Sequence, residues 1–498
     1  MTKMKEAPNV ILIVLDTVRA DSLSCYGLRR KLTPNIDKMA HDGALYLNAF
    51  STAPWTPPSH ASIFTGKYPS YHKTMGKDVR FKEANTSLAE ALSLNGFQTL
   101  GVTWCQILGR GSGFEKGFQQ YIDVKTPSVT KINLKGLPAK ELIRTFVYGP
   151  DKGAYQATEA IKSFLRHSWN KKMPFFVFVN LFDAHTAYDP PRPYKERFSA
   201  ARVHQTKTYL SQFLLQTIAN RNVERLDDQT ADIHKLNWIA SGGGGFSFAA
   251  KNTIISQKEW DIVKSWYEAE IAYLDHQIGN LISFLRNKGI LENTLLVITS
   301  DHGENFGEHG LAVHPLCVYD SILHVPLIMS HPSLVPKSLK IESLCSTVDI
   351  LPTVLDLAGI KCPSNIQGRT LRPFEEHRIH DFVCAEYGGL HTRGFAGLQA
   401  WKLGADTKRK LTEIDVGCKC IRTPTHKYIL SEHSEELYNI NEDPSEQTNI
   451  IKEHPETARS LKSQLEKAVD ISYYGPKEFS GKETDKEMER RLRALGYV

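Results

Sequence analysis

The sequence predicts a doubly wound α/β fold followed by a smaller α+β subdomain. Three observations lead there. Four short runs are dominated by apolar residues at successive rather than alternate positions, the pattern of strands buried on both faces of a sheet. Helix-like stretches separate those runs, so strands and helices alternate along the chain. After about residue 370 the texture changes to short strand-like segments and a charged helical tail.

Taken in order, residues 10–15 (VILIVL) form the first run and end at Asp16. Residues 87–95 and 156–167 read as helices. Residues 175–182 (FFVFVNLF) form the second run and lead to Asp183 and His185. Residues 195–256 read as an insertion containing four consecutive glycines, Gly242 to Gly245. It is either a hinged lid near the site or a surface excursion with no catalytic part. Residues 257–287 read as a long helix, 294–300 as the third run, ending at Asp301 and His302, and 325–329 as the fourth. Beyond residue 370, segments 382–386, 398–403, 418–422 and 427–430 read as short strands and 454–468 as a helix. The expected division is a catalytic domain over 1–370 and a subdomain over 371–498. In open α/β sheets the site lies beyond the carboxyl ends of the strands. That rule brings Asp16, Asp183 with His185, and Asp301 with His302 to one rim.

Composition narrows the class. The 498 residues are 41% hydrophobic and 23% charged, ordinary for a globular enzyme. A net charge of +6 is small for this length and gives no warrant for nucleic-acid binding. The eight cysteines are scattered, and only Cys418 and Cys420 are close; their spacing is not that of a zinc knuckle, so reduced structural thiols are expected. The first apolar run is too short to span a membrane and no run approaches eighteen residues, so a cytoplasmic protein with no membrane partner is expected.

Four clusters carry chemistry. Asp16 at a strand end suits a hard or borderline cation, although a turn aspartate is the commoner fate of such a residue. In Ala53-Pro54-Trp55-Thr56-Pro57-Pro58-Ser59-His60, two prolines fix the backbone after Thr56, and Ser59 is placed to cap a helix running from His60. A hydroxyl near a helix N-terminus lies in positive potential, which favours its alkoxide. Ser300-Asp301-His302-Gly303 supplies one oxygen and one nitrogen ligand, with Glu308, His309 and His314 close behind. His185 after its strand can donate to a tetrahedral anion or protonate a leaving group, or serve structure alone.

Together and in this order these segments resemble the sulfatase family of the alkaline-phosphatase superfamily. The resemblance runs from the first strand through Cys25-Tyr26-Gly27, Thr33-Pro34-Asn35, Ser59 to Pro69, Asn95 to Thr99, Asp349 to Thr353 and Gly368. It continues to Glu436-Leu437-Tyr438 with Glu442 to Glu446, and to the terminal residues 495–498. It implies an alkaline-phosphatase-like mixed, mostly parallel sheet between helices. It also implies one divalent metal ion, calcium, manganese or zinc, held by Asp16, Thr56, Asp301 and His302. Thr56 takes the nucleophile position, and His185 and His314 line the pocket for the anion or leaving group, with His309 a weaker candidate.

The departures from the family pattern are informative. The family reads Cys or Ser, any residue, Pro, Ser, Arg; here Thr56-Pro57-Pro58-Ser59-His60 stands, so no formylglycine is expected. Thr17 replaces a second aspartate, and Val102 to Gln106 replaces a Gly-Lys-Trp-His segment. The set resembles the one-metal, threonine-nucleophile enzymes of the superfamily. The expected activity is hydrolysis of small anionic sulfuric esters, or of related phosphate or phosphonate esters. Alternatives are a phosphodiesterase or phospho-group transferase of the same superfamily and, in another class, a non-catalytic anion-binding protein.

Overall fold

A computed structural model describes residues 7–76, 79–82, 84–124, 151–198, 235–237, 239–241, 253–314, 316–374, 379–389, 415–474 and 490. Most of the 195–256 insertion, the segment 398–403 and the terminal 495–498 lie outside the described residues.

The central sheet is built from β1 (Asn9–Leu15), β2 (Ala44–Phe50), β3 (Gln98–Thr103), β4 (Gln120–Asp123), β5 (Phe175–Leu181) and β6 (Thr294–Thr299). After a small hairpin, β7 (Asn305–Phe306) with β8 (Ala312–Val313), it is completed by β9 (Leu327–Ser330) and β10 (Leu339–Ser346). Its order is β10-β2-β9-β6-β1-β5-β3-β4. All neighbours are parallel except β9, which runs antiparallel to both β2 and β6. The sheet is therefore mixed and mostly parallel, as expected. The fourth apolar run was read from residue 325, but β9 begins at Leu327, because Pro326 has no N–H to give to a ladder.

Every residue of β1, β5 and β6 is buried, which accounts for the apolar residues at successive positions. Alternate side chains feed two cores. Val10, Leu12 and Val14 pack on one face with Ala61, Ile63 and Phe64 of the helix Thr56–Thr65. Ile11, Ile13 and Leu15 pack on the other with Trp266, Ile271 and Leu274 of the long helix Gln257–Asn287. Ser256 opens that long helix with a reciprocal capping box to Glu259, and Ser87 does the same for Leu88–Leu94 through Glu90.

A second sheet, β11 (Val383–Tyr387), β12 (Cys418–Arg422), β13 (His426–Ser431) and β14 (Glu435–Asn439), is wholly antiparallel and packs against the helix Pro455–Ala468. Buried ion pairs join it to the central sheet's surroundings. Lys427 Nζ lies 2.6 Å from Asp320 Oδ1 and 2.8 Å from Glu446 Oε1. Lys419 meets Glu386 at 2.9 Å, and Glu386 accepts from the Ser70 N–H. All eight cysteines are free thiols. Among the described residues no helix is long and apolar enough to cross a membrane.

Candidate metal centre and nucleophile

The register sets the site. β1 lies between β5 and β6, with Leu15 opposite Leu181 and Val14 opposite Thr299. The ladder continues one step further, the Asp16 N–H donating to the Leu181 carbonyl at 2.9 Å. Asp16 thus emerges beside the Ser300-Asp301-His302 turn. Ser300 fastens that turn to β1. Its hydroxyl bonds to the carbonyls of Leu15 and His302 and accepts from the Val18 N–H at 3.0 Å.

Asp16, Asp301 and His302 each offer a ligand atom within 4.8 Å of the others, all three fully buried. One oxygen of each carboxylate is already committed. Asp16 Oδ2 accepts from Asn180 Nδ2 at 3.0 Å. Asp301 Oδ1 accepts from the N–H groups of Thr17 (3.2 Å) and His302 (2.9 Å). The other oxygens, Asp16 Oδ1 and Asp301 Oδ2, are buried without a hydrogen-bond partner. His302 Nε2 lies 4.0 Å from the first and 3.5 Å from the second. Its Nδ1 sits 3.0 Å from the Gly303 carbonyl, which takes the ring proton and leaves Nε2 with a lone pair toward the carboxylates. Two orphaned carboxylate oxygens and a bare imidazole nitrogen make a donor set that fits a divalent cation. Without one, burial first and the neighbouring Asp301 second push the Asp16 carboxyl well above its usual range.

The helix Thr56–Thr65 brings the hydroxyl. The sequence reading started this helix at His60 under a Ser59 cap; it starts at Thr56 instead. Pro57 and Pro58 occupy the second and third helical positions, within the first turn, where a missing N–H costs nothing and the fixed φ suits the helix. Ser59 lies inside the helix and donates its hydroxyl to the Asp301 carbonyl at 2.6 Å, joined there by Ser51. This anchorage puts Thr56 Oγ1 3.4 Å from His302 Nε2. His60, one turn on, bonds through Nδ1 to the Thr56 carbonyl at 2.9 Å and lies 3.5 Å from Asp301 Oδ2.

The two pocket histidines meet the same cluster. His185 stacks on Phe182 with ring centroids 4.2 Å apart and meets His314 edge-on at 4.9 Å. His314 in turn lies 4.3 Å from His302. Burial, reinforced by the neighbouring rings, holds both well below the usual imidazole range. His309 does not join them, because its ring stacks on Tyr319 at 3.6 Å. Asp183 also turns away, accepting from the Lys152 N–H at 3.1 Å, while Lys152 Nζ grips the carbonyls of Asp183 and His185.

Three contributors escaped the sequence reading. Asn180 is the polar residue in an otherwise apolar strand, a signal that was available. Thr17 adopts a left-handed backbone (φ 61°), strained for a β-branched residue, and thereby aims its N–H at Asp301. Its side chain bonds the Asp16 carbonyl at 2.7 Å, and Tyr267 holds its own carbonyl at 2.9 Å. Glu304 is fully buried, accepts from the Tyr188 hydroxyl at 2.7 Å and lies 3.0 Å from His314 Nδ1. Burial pushes its carboxyl up to about 8.

The sulfatase family model matches residues 8–360. The chain is 25% identical over 500 residues to arylsulfatase K of Rattus norvegicus, covering 94% of this chain and 79% of that one. It is 25% identical over 405 residues to N-acetylglucosamine-6-O-sulfatase of Bacteroides thetaiotaomicron, covering 74% and 71%. Its fold is similar to that of the phosphonate monoester hydrolase of Agrobacterium radiobacter, with a TM-score of 0.69 at 20% identity over 93% of this chain and 95% of that one.

Proposed function

The chain belongs to the sulfatase family, and from that premise we propose that it cleaves small sulfate esters, or closely related phosphate or phosphonate esters, by in-line attack of the Thr56 hydroxyl. One observation carries the reading: Thr56 Oγ1 lies 3.4 Å from the lone-pair nitrogen of His302, beside two buried carboxylate oxygens that lack a hydrogen-bond partner. Asp16, Asp301, His302 and Thr56 would hold one divalent cation. Bound there, it would lower the pKa of the hydroxyl and offset the charge of the ester oxygens.

The chain's own residues supply the rest. The buried helix fixes Thr56 for attack on sulfur or phosphorus, so most of the catalysis is positioning and charge stabilisation. As the bond from Thr56 forms, the hydroxyl proton is released to solvent. The bond to the leaving oxygen breaks on the opposite side, and that oxygen takes a proton from the imidazolium of His314 or His185, a form that the bound anionic ester favours over the neutral ring of the free protein. Water then displaces the ester on Thr56 and restores the hydroxyl. Threonine in place of the family's Cys or Ser keeps the hydroxyl unmodified, with no formylglycine. Phosphate and phosphonate esters are therefore the second reading, favoured by this departure and by histidine among the ligands. Transfer to an alcohol instead of water belongs to that reading.

The test is a side-by-side assay of an aryl sulfate, a phosphate monoester, a phosphodiester and a phosphonate monoester, with metal content measured on the same samples. Thr56→Ala is expected to abolish turnover on every substrate while leaving bound metal detectable. Full activity in Thr56→Ala would remove Thr56 as nucleophile. Metal-free active protein would remove the cation.

A further inference from the structure

The catalytic reading uses only the carboxyl ends of the strands. At the other end, where β1 and β6 begin, Asn9 and Asn293 border a cleft of about 760 Å³. The strands between are six or seven residues long, so this cleft lies about 20 Å from the metal rim. It is separate from the catalytic site.

Its lining is one-signed. Arg166 and His167 close the helix Ala154–His167, Lys171 and Lys172 lie in the turn into β5, and Lys288 follows the long helix. All five are exposed, and among the described residues neither aspartate nor glutamate lines the cleft. Part of this has an ordinary explanation. Basic residues at helix C-termini offset the helix dipole by about 0.3–1 kcal/mol each. That accounts for Arg166, His167 and Lys288 one at a time. It does not account for Lys171 and Lys172, which lie past the helix end, nor for the concave arrangement. A purely solvated basic face would also be expected to carry interspersed acids, as surfaces usually do.

The floor of the cleft is built rather than loose. Arg166 is held over the Phe284 ring at 4.8 Å. The Trp169 indole N–H donates to the Met173 carbonyl at 2.8 Å, and its ring meets Phe175 edge-on at 5.1 Å. Leu165 and Ile290 add buried apolar surface. A volume of this size lies within the range of ligand sites, and convergent cations above an apolar, aromatic floor match a compact scaffold bearing several anionic groups.

We propose that this cleft is a second, non-catalytic binding site for a compact ligand carrying two or more sulfate or phosphate groups. Arginine and lysine supply the charge, and Trp169 supplies a face for the scaffold. Sulfated saccharides and nucleotides share this chemistry, and the experiment separates them.

The full-length protein is titrated calorimetrically with a highly sulfated disaccharide, with ATP and with inorganic sulfate, at low and high ionic strength. Inhibition of ester hydrolysis by each probe is measured separately, so that occupancy of the catalytic site is distinguished from occupancy of the cleft. Binding is expected for at least one multiply charged probe, weaker at high salt and much weaker for inorganic sulfate. Reversal of three exposed lysines, K171E/K172E/K288E, is expected to weaken that binding about tenfold or more while the inhibition constant and kcat/KM stay unchanged. The milder K171Q/K172Q/K288Q variant is expected to move affinity in the same direction and guards against a folding defect. Preference for the disaccharide assigns a saccharide ligand, and preference for ATP assigns a nucleotide. Affinity equal in wild type and both variants, or no binding of any probe at low salt, overturns the proposal.

Discussion

Replacement of Glu304 by alanine separates a leaving-group role for His314 from simple support of the fold. The carboxyl is fully buried and serves two partners, the Tyr188 hydroxyl at 2.7 Å and His314 Nδ1 at 3.0 Å. Alanine strands both in a dry cavity. An unsatisfied buried polar group costs about 1–3 kcal/mol, so the two together give a loss of roughly 2–6 kcal/mol. Glutamine keeps the volume, an acceptor for Tyr188 and a polar neighbour for His314, so its cost is expected to stay near 1 kcal/mol. Catalysis reports on the ring itself. His314 lies between His302 and His185, and loss of Glu304 removes the carboxyl that holds its Nδ1 side. If His314 protonates the departing oxygen, Glu304→Ala lowers kcat/KM on esters of poorly leaving alcohols by about 10²–10⁴, and on nitrophenyl esters far less. The assay is kcat/KM across a leaving-group series for Glu304→Ala, Glu304→Gln, His314→Ala and the double alanine variant, each checked by thermal melting and metal content. The double variant should lose no more than His314→Ala alone. A loss equal across all leaving groups, or losses that add in the double variant, would refute the reasoning.

Other expectations concern the frame around the site. A Cβ on Gly303 would meet the Ser321 carbonyl at 2.3 Å, so Gly303→Ala should shift the loop after His302 and weaken metal retention during dialysis against a mild chelator; unchanged retention would contradict this. Lys427→Met leaves Glu446 buried without its cation and Asp320 with only Arg422, 3.4 Å away, and should cost about 3–5 kcal/mol in denaturant unfolding. His72 accepts the Thr74 N–H at Nδ1 and bonds Ser62 through Nε2, and burial holds it down to about 3. Its folded pKa lies below the unfolded value, so the unfolded chain binds more protons between the two. Stability from this group is therefore complete above about pH 6.5 and declines by about 1.4 kcal/mol per unit as pH falls toward 3. His72→Gln should flatten that part of a melting-temperature profile, and an identical profile in the variant would exclude the assignment.

Much of the site was legible because three strands buried on both faces end in polar residues. Asp16, Asp301 and His302 interrupt apolar runs that periodicity alone marks as central strands, and a parallel sheet brings such ends together. Thr56 was legible through its prolines, although the helix start was misplaced by four residues: the segment reads as a turn, whereas its prolines lie within the first helical turn. The edge strands β4 and β10 were missed because partial exposure dilutes their apolar pattern. Glu304, Thr17 and Tyr188 were illegible for another reason. Their parts depend on a backbone sign or on a partner over a hundred residues away, and neither leaves a local trace. His309 misled because density of histidines in a short loop says nothing of the direction each ring takes.

The buried Lys427 contact reaches further than its own ion pairs. Asp320 begins the short helix Asp320–Leu323, and the Ile322 carbonyl of that helix receives the Gly303 N–H at 2.6 Å, one residue past His302. Strand β13 thus acts as a tie-rod on the loop that carries His302. Cutting the chain between the two sheets would leave the front part with all of its ligand residues and an unbraced cage. On the proposed reading, activity should return only when the severed rear part is supplied in trans.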